Sequence, residues 1–329
     1  MGRPTDDFTR HGGQLHAAMR AWPEAPRPWI DLSTGINPRP YPAPRASRAA
    51  RARLPFPEET AALEAVAAAA FGIEDPARIV ATPGAEAALR LLPRILGAET
   101  AAIAGPTYAS HAQAWSTAGV RLVRDADAAK VLVVVNPNNP DGRRYDREAL
   151  VAQADGLGAR GGWLIVDESF ADAETGASIA ALGHPAIIAL RSFGKFYGLA
   201  GLRLGFVLGE PGIIDKVRAL QGDWPVSADA LAAGRAAYTD SDWTARTRPR
   251  LARDSAWLDA ALTDAGFRWV GGTTLFRLVE AEDAPRRFAA LCERGVLTRP
   301  FTAAPTWLRF GLPPRSARRR VAEALRSLG

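Results

Sequence analysis

The sequence predicts an α/β protein: a large domain on a mostly parallel, mixed sheet flanked by helices, joined to a smaller α+β domain. Three observations carry this. Between residues 78 and 190, short apolar runs alternate with helix-length segments. The run Val131–Val135 is apolar at every position, as a strand buried on both faces must be. Past Trp224 the alternation gives way to a long helical stretch and then to short strands.

In chain order, residues 1–40 are loop-like and proline-rich, with one helical candidate at 15–19, and read as an arm belonging with the small domain. A proline-rich stretch at 38–57 precedes an alanine-rich helix at 60–71, with Glu58 and Glu59 placed to favour its N-terminus. A strand at 78–81 runs through Thr82-Pro83-Gly84 into a helix at 85–96, a strand–glycine turn–helix unit that offers backbone N–H groups to an anion. Then follow a strand at 101–104, a helix at 110–118, strands at 120–123 and 131–135, a helix at 147–157, and strands at 163–166 and 186–190. These elements make residues 41–224 the large domain. Residues 225–329 form the small one, with helices at 228–237 and 243–265, strands at 267–270 and 274–278, a helix at 284–293, strands at 295–298 and 307–311, and a final helix. Short apolar runs alone do not separate strand from buried helix, so the turn residues carry much of this reading.

Composition narrows the function. No run of eighteen apolar residues occurs, and Asp6, Asp7, Arg10 and His11 stand where a signal peptide would be apolar. A cytoplasmic protein with no membrane partner is expected. Cys292 is the single cysteine, which leaves no disulfide framework and no multi-cysteine zinc site; it reads as a small hydrophobe on a helix. The net charge of +6 suits nucleic acid, a membrane surface or an anionic small substrate. No basic groove interleaved with aromatics is visible, so nucleic acid is not expected. Arg315, Arg318, Arg319 and Arg320 read as a solvated helix face. Lys130, Lys195 and Lys216 are the only lysines, so lysine chemistry has three places to happen.

Ser192-Phe193-Gly194-Lys195 with Arg203 eight residues on is the strongest local signal. A lysine that forms an imine with an aldehyde cofactor belongs at a strand end beside phosphate-binding groups, and Ser192 and Arg203 are such groups. The other reading is a surface loop; the apolar strand before it and Gly198, Gly201 and Gly205 after it argue otherwise. Asp167 ends a buried strand, where a carboxylate can pair with a protonated pyridine nitrogen. Its alternatives are a strand-end cap or a metal pair with Glu168, for which no further ligands are in sight. Gly84, Ala85 and Glu86 open a helix, and Asn139 lies in the turn Asn136-Pro137-Asn138-Asn139-Pro140-Asp141-Gly142, which by itself is only a rigid turn.

Their order carries more than any one of them. Glycine turn, Tyr108, the Asn-Pro turn, Asp167, Lys195 and Arg203 follow one another as the cofactor contacts do in fold-type I pyridoxal-phosphate (PLP) enzymes, and the chain resembles the aspartate-aminotransferase superfamily along its whole length. The resemblance implies PLP held as a Schiff base on Lys195, Tyr108 stacked on the pyridine ring, Asn139 on the phenolic oxygen and Asp167 on the ring nitrogen. It also implies Gly84, Ala85, Glu86, Ser192 and Arg203 around the phosphate. Plain core packing is the other reading of Tyr108.

His11-Gly12-Gly13 and Asp31-Leu32-Ser33-Thr34-Gly35-Ile36-Asn37-Pro38 are similar to the opening of the threonine-phosphate decarboxylases of cobalamin biosynthesis, close kin of histidinol-phosphate aminotransferases. The implied substrate is a small phosphorylated amino acid, L-threonine O-3-phosphate, with aminotransfer as the alternative. The implied substrate contacts are His11, Gly12, Gly35, Asn139, Arg299 and Arg309. Arg309 stands in Trp307-Leu308-Arg309-Phe310-Gly311, and guanidinium suits carboxylate and phosphate because its donors are paired in a plane. A surface ion pair is the other reading of Arg299, and an exposed position on the arm that of His11. The resemblance further implies a homodimer with active sites near the subunit interface. Two departures stand out: Phe170, where many aminotransferases place a tyrosine, and Leu54 and Phe56, where relatives often carry a tyrosine reaching the partner's cofactor phosphate.

Overall fold

The computed structural model describes residues 6–9, 11–176 and 178–328; the first five residues of the expected arm lie outside these. The described residues pack as two compact units, one of those within 40–139 and 143–245, the other of those up to 39, at 140–142 and from 246 on.

Among the described residues of the larger unit, seven strands form one sheet in the order Ile79–Thr82, Gly205–Leu208, Ile187–Ser192, Trp163–Asp167, Val131–Val135, Thr100–Ile103, Arg121–Val123. Gly205–Leu208 runs antiparallel to both neighbours, and every other pairing is parallel, so the sheet is mostly parallel and mixed. Successive side chains of a strand point to opposite faces. Val131 and Val133 therefore join a core with Ala88, Leu89 and Leu92 of helix Ala85–Leu96 and Ile213, Ile214 and Val217 of helix Pro211–Gln221. Leu132 and Val134 join another with Leu150, Ala154 and Leu157 of helix Arg147–Ala159. Each large aliphatic side chain buried this way contributes about 1.5–3 kcal/mol, which is why the run needs no polar position. Parallel pairing also brings the C-terminal ends of these strands, at Val135, Asp167 and Ser192, to one edge, where the polar loop residues follow.

Among the elements beyond the expected set, two bear on the large sheet. Strand Gly205–Leu208 is four residues long and follows a glycine-rich loop; its short apolar run is fixed as a strand by partners on both sides. Helix Pro211–Gln221 covers the sheet beside Ala85–Leu96. The expected boundary at 224/225 also moves, because helix Ala228–Thr239 packs with the larger unit. A side chain on Gly234 would stand 2.7 Å from Leu63 and from Leu204, so the helix seats closely on Pro57–Phe71. Tyr238 then packs its ring 5.1 Å from Phe71 and 5.5 Å from Phe206.

The smaller unit holds an antiparallel sheet in the order Arg299–Pro300, Trp307–Gly311, Phe276–Glu280, Arg268–Thr273. The strand expected at 295–298 is shorter: Val296–Leu297 pairs in parallel with Ile30–Asp31, and Arg299–Pro300 turns to the other sheet. Cys292 is buried on helix Ala284–Glu293. Of the C-terminal arginines, Arg315 and Arg319 are exposed as expected, whereas Arg318 and Arg320 are drawn into the fold. Arg318 ion-pairs with Asp254 and lies 4.9 Å from the Trp257 ring centroid, and Arg320 donates to the carbonyl oxygens of Pro26, Pro28 and Arg294. Among the described residues no helix is long and apolar enough to cross a membrane.

Candidate active site

In the larger unit, the loops at the C-terminal strand ends bring together Tyr108, Asp167 and a residue that no sequence motif marks, His111. Asp167 ends its strand buried, and its Oδ2 lies 2.9 Å from His111 Nε2. Its Oδ1 accepts the Ser169 N–H at 2.9 Å and the Ser169 hydroxyl at 2.5 Å. Burial alone pushes a carboxyl upward, but the His111 and Ser169 contacts outweigh it and hold Asp167 below its ordinary value, so it stays ionised at neutral pH. His111 is placed by the first turn of helix Ala109–Thr117, three residues after the N-cap Tyr108. The two rings meet edge to face at 6.2 Å, and the Tyr108 hydroxyl donates to Glu86 Oε2 at 3.2 Å. Burial, first, and the neighbouring carboxylates push the Tyr108 hydroxyl up, which keeps it a donor. Spacing was the available signal for His111: one of only four histidines, three residues after a singled-out aromatic.

The loops themselves are pinned by Asn138. Its side chain accepts from the Thr107 hydroxyl at 2.6 Å and donates to the Pro106 carbonyl at 2.9 Å, tying the Asn-Pro turn to the segment before Tyr108. Asn139 is next in that turn and half-buried.

Gly84 caps helix Ala85–Leu96 with φ +90°, a conformation that L side chains rarely adopt. A Cβ on it would stand 2.6 Å from an Arg203 guanidinium nitrogen, which places that charge over the helix start. Arg203 itself has φ +57°, the only such non-glycine residue among those described, and bonds back to the Ala200 carbonyl at 3.0 Å. Strain of this kind persists where the surroundings hold a residue for its side chain. The Glu86 carboxylate is taken up by Arg90, 2.8 Å away, and by Tyr108, which leaves its backbone N–H, the group expected to face an anion, at the helix start. Ser192 ends strand Ile187–Ser192 and caps the single turn Phe193–Phe196 that carries Lys195, whose Nζ is 5.7 Å from the Phe170 ring centroid.

Glu168 is no metal partner of Asp167. It points to the other side and accepts from Arg191 at 2.9 Å, from Ser178 at 2.6 Å and from the Ile179 N–H at 2.6 Å, while Arg191 also pairs with Asp172. Burial would lower the Arg191 guanidinium, but Asp172 and Glu168 hold it above its ordinary value. Among the described residues no group of three or more metal-ligating side chains is assembled.

The smaller unit gathers the other expected residues around Ser33. A Cβ on Gly12 would collide with the Ser33 carbonyl, and the Gly13 N–H donates to the Ser33 hydroxyl at 2.7 Å, so these glycines are explained first by close packing. The Ser33 hydroxyl donates in turn to Asp31 at 2.6 Å, and the Ser33 carbonyl accepts from Arg309 at 2.6 Å. Gly35, two residues on, is buried. Arg299 and Arg309 are direct cross-strand partners and both are buried, so Arg299 is not a surface ion pair. Leu54 and Phe56 are exposed, and Arg53 lies over the Phe56 ring at 3.8 Å and pairs with Glu59 at 2.8 Å.

These residues fit pyridoxal phosphate. A cradle that only glycine can form, under a guanidinium, suits a phosphate; a buried carboxylate kept ionised suits a protonated ring nitrogen; and the lysine stands on the turn beside them.

Known proteins agree with this geometry. The model of the family "Aminotransferase class I and II" matches residues 27–328. A threonine-phosphate decarboxylase of Sinorhizobium sp. is 43% identical over 325 residues, 96% of this chain and 97% of that protein. One of Pseudomonas aeruginosa is 41% identical over 316 residues, 92% of each. The crystal structure of histidinol-phosphate aminotransferase from Sinorhizobium meliloti, in complex with pyridoxal-5'-phosphate, superposes with a TM-score of 0.82 at 21% identity, covering 96% of this chain and 95% of that one, which shows a common fold. The chain belongs to the class I and II aminotransferase family of fold-type I enzymes.

Proposed function

We propose that this enzyme is a PLP-dependent carbon–carbon lyase that converts L-threonine O-3-phosphate to (R)-1-amino-2-propanol O-2-phosphate and carbon dioxide, a step of cobalamin biosynthesis. The observation that carries the choice of reaction is the end-to-end likeness, at 43% and 41% identity, to two threonine-phosphate decarboxylases. When bound, PLP supplies an electron sink for the pair left behind as carbon dioxide departs.

The chain's own residues do the rest. Lys195 tethers the cofactor and, once released, returns a proton to the substrate's α-carbon. Asp167, kept ionised by His111 and Ser169, holds the proton on the ring nitrogen. Tyr108 would cover the ring, Asn139 would donate to the phenolic oxygen, and Gly84, Ala85, the Glu86 N–H, Ser192 and Arg203 would hold the phosphate. Phe170 has no hydroxyl and leaves the phenolic oxygen to Asn139. Arg299 and Arg309 hold the acidic groups of the substrate, with His11, Gly12 and Gly35 shaping its place. Anchoring the substrate phosphate would fix the orientation in which the carboxylate is presented for departure. A cytoplasmic homodimer, its active sites near the subunit interface, is part of the same proposal. Leu54 and Phe56 supply no hydroxyl to a partner's phosphate.

The test is incubation of the PLP-loaded protein with L-threonine O-3-phosphate beside a Lys195→Ala control, following carbon dioxide and cofactor absorbance. Lysine-dependent carbon dioxide release with the cofactor left as aldehyde is expected. No release, with conversion of the cofactor to its amine form by histidinol phosphate, would make the chain an aminotransferase instead.

A further inference from the structure

Apart from these residues, the smaller unit carries a concave surface of about 640 Å³ whose polar lining is almost wholly cationic: Arg39, Arg250, Arg253, Arg315 and Arg318 against the single carboxylate of Asp254. Three of the six come from one face of helix Ser241–Asp264, since positions 250, 253 and 254 are three and four apart, as is Trp257 beyond them. Arg315 and Arg318 come from the start of the C-terminal helix, and Arg39 from the end of the Asn37-Pro38 segment.

Asp254 cannot satisfy this many cations. It pairs with Arg250 at 3.3 Å and with Arg318, and Arg250 spends a second nitrogen on the Asn37 side chain at 3.2 Å. The Nε of Arg318 is buried with no hydrogen-bond partner among the described residues. Arg39, Arg253 and Arg315 are exposed and make no ion pair among the described residues. Burial, first, then the charges of Arg39 and Arg253 hold the Arg250 guanidinium below its ordinary value, against the pull of Asp254. Like charges gathered on a concave wall repel one another, and a bound anion relieves the repulsion; concavity also focuses the field on a ligand more than a flat face does.

We infer that this concavity binds a small polyanion carrying two or more linked phosphate groups, the chemistry shared by nucleoside di- and triphosphates and by inorganic polyphosphate. Five guanidinium groups against one carboxylate exceed what a single phosphate neutralises, and planar paired donors match phosphate oxygens. The space is of the size that holds a nucleotide-sized ligand rather than a lone ion. None of these residues belongs to the set proposed for PLP or substrate, so the inference stands apart from the decarboxylase reading.

The experiment is calorimetric titration of the PLP-loaded protein at low ionic strength with inorganic pyrophosphate, inorganic triphosphate and ATP, with orthophosphate as reference. Two variants accompany it: the triple change Arg39→Gln, Arg253→Gln and Arg315→Gln, all at exposed side chains, and Arg309→Gln, which weakens the proposed substrate site only. The expected result is pyrophosphate binding at least about tenfold tighter than orthophosphate, lost at least about tenfold in the triple variant and unchanged in Arg309→Gln, with affinity falling as salt rises. Equal affinity for triphosphate and ATP assigns the site to phosphate groups alone; tighter ATP binding that the triple variant loses assigns it to a nucleotide. No binding at millimolar pyrophosphate, equal binding in the triple variant, or loss of binding in Arg309→Gln overturns the inference.

Discussion

Replacing Gly205 by alanine tests whether strand and helix are pressed together where the cofactor phosphate is proposed to sit. The new Cβ would stand 2.5 Å from the Ala85 nitrogen and 2.8 Å from both the Arg191 carbonyl oxygen and the Gly84 carbonyl carbon. Ordinary contact begins near 3.4 Å, and all three atoms are backbone, so no rotamer change relieves the collision. Gly205 is held on both sides, paired with Thr82 and with Ser192. The give must therefore come from the helix start at Gly84 and Ala85, by roughly an ångström if carbon is to regain its normal contact distance. Overpacking of this kind costs about 1–3 kcal/mol. Urea unfolding of the apo-protein should show that loss, and equilibrium dialysis should show PLP affinity reduced at least about tenfold, equivalent to about 1.4 kcal/mol. Gly201→Ala is the control: nothing lies within 4 Å of its would-be Cβ, and a change within about 0.5 kcal/mol with unaltered PLP affinity is expected. A Gly205→Ala protein equal to wild type in both measurements would refute the reasoning, as would a Gly201→Ala protein equally damaged.

His111→Phe removes the donor to a buried carboxylate, and urea unfolding of the apo-protein at pH 7 should lose about 1.5–3 kcal/mol. Because Asp167 is held below its ordinary value, its contribution in the wild type is complete above the unfolded pKa of about 3.9 and disappears as pH falls through the folded value; the Asp167 carboxyl, followed by NMR in the wild type, should titrate below about 3.9 and move up in His111→Phe, and a wild-type titration above that value would contradict the assignment. Arg191→Met strands Glu168 and Asp172 without their cation and should cost about 3–5 kcal/mol by the same assay, with part regained when both acids are also changed to their amides; a loss under about 1 kcal/mol would sink this account. Cys292 is buried and its thiol is pushed up, first by burial and then by Glu293, so a thiol reagent should label nothing in the native protein and one group per chain in denaturant.

Much of this architecture is legible along the chain because its signals are local. Val131–Val135 declares itself by having no polar position, helix Ala85–Leu96 by the glycine turn before it, and Lys195 by the serine, glycines and arginine around it. What relates one segment to another is a different matter. Gly205–Leu208 becomes a strand through partners on both sides, and Ala228–Thr239 joins the larger unit because Gly234 lets it seat on Leu63 and Leu204. The composition announces the arginines but not that five of them would share one concave wall.

The order of the residues proposed to bind the cofactor, the lysine and the alternation of strands and helices were determined by the sequence itself, since periodicity and turn chemistry act over a few residues. Only the tertiary structure decided that His111 would hold Asp167, fifty-six residues away, that Arg191 would bind Glu168 and Asp172 beneath the neighbouring strand ends, and that Arg299 would lie opposite Arg309. The partner of a buried charge is set by which strands pair and in which register, and neighbouring residues along the chain carry no record of that choice.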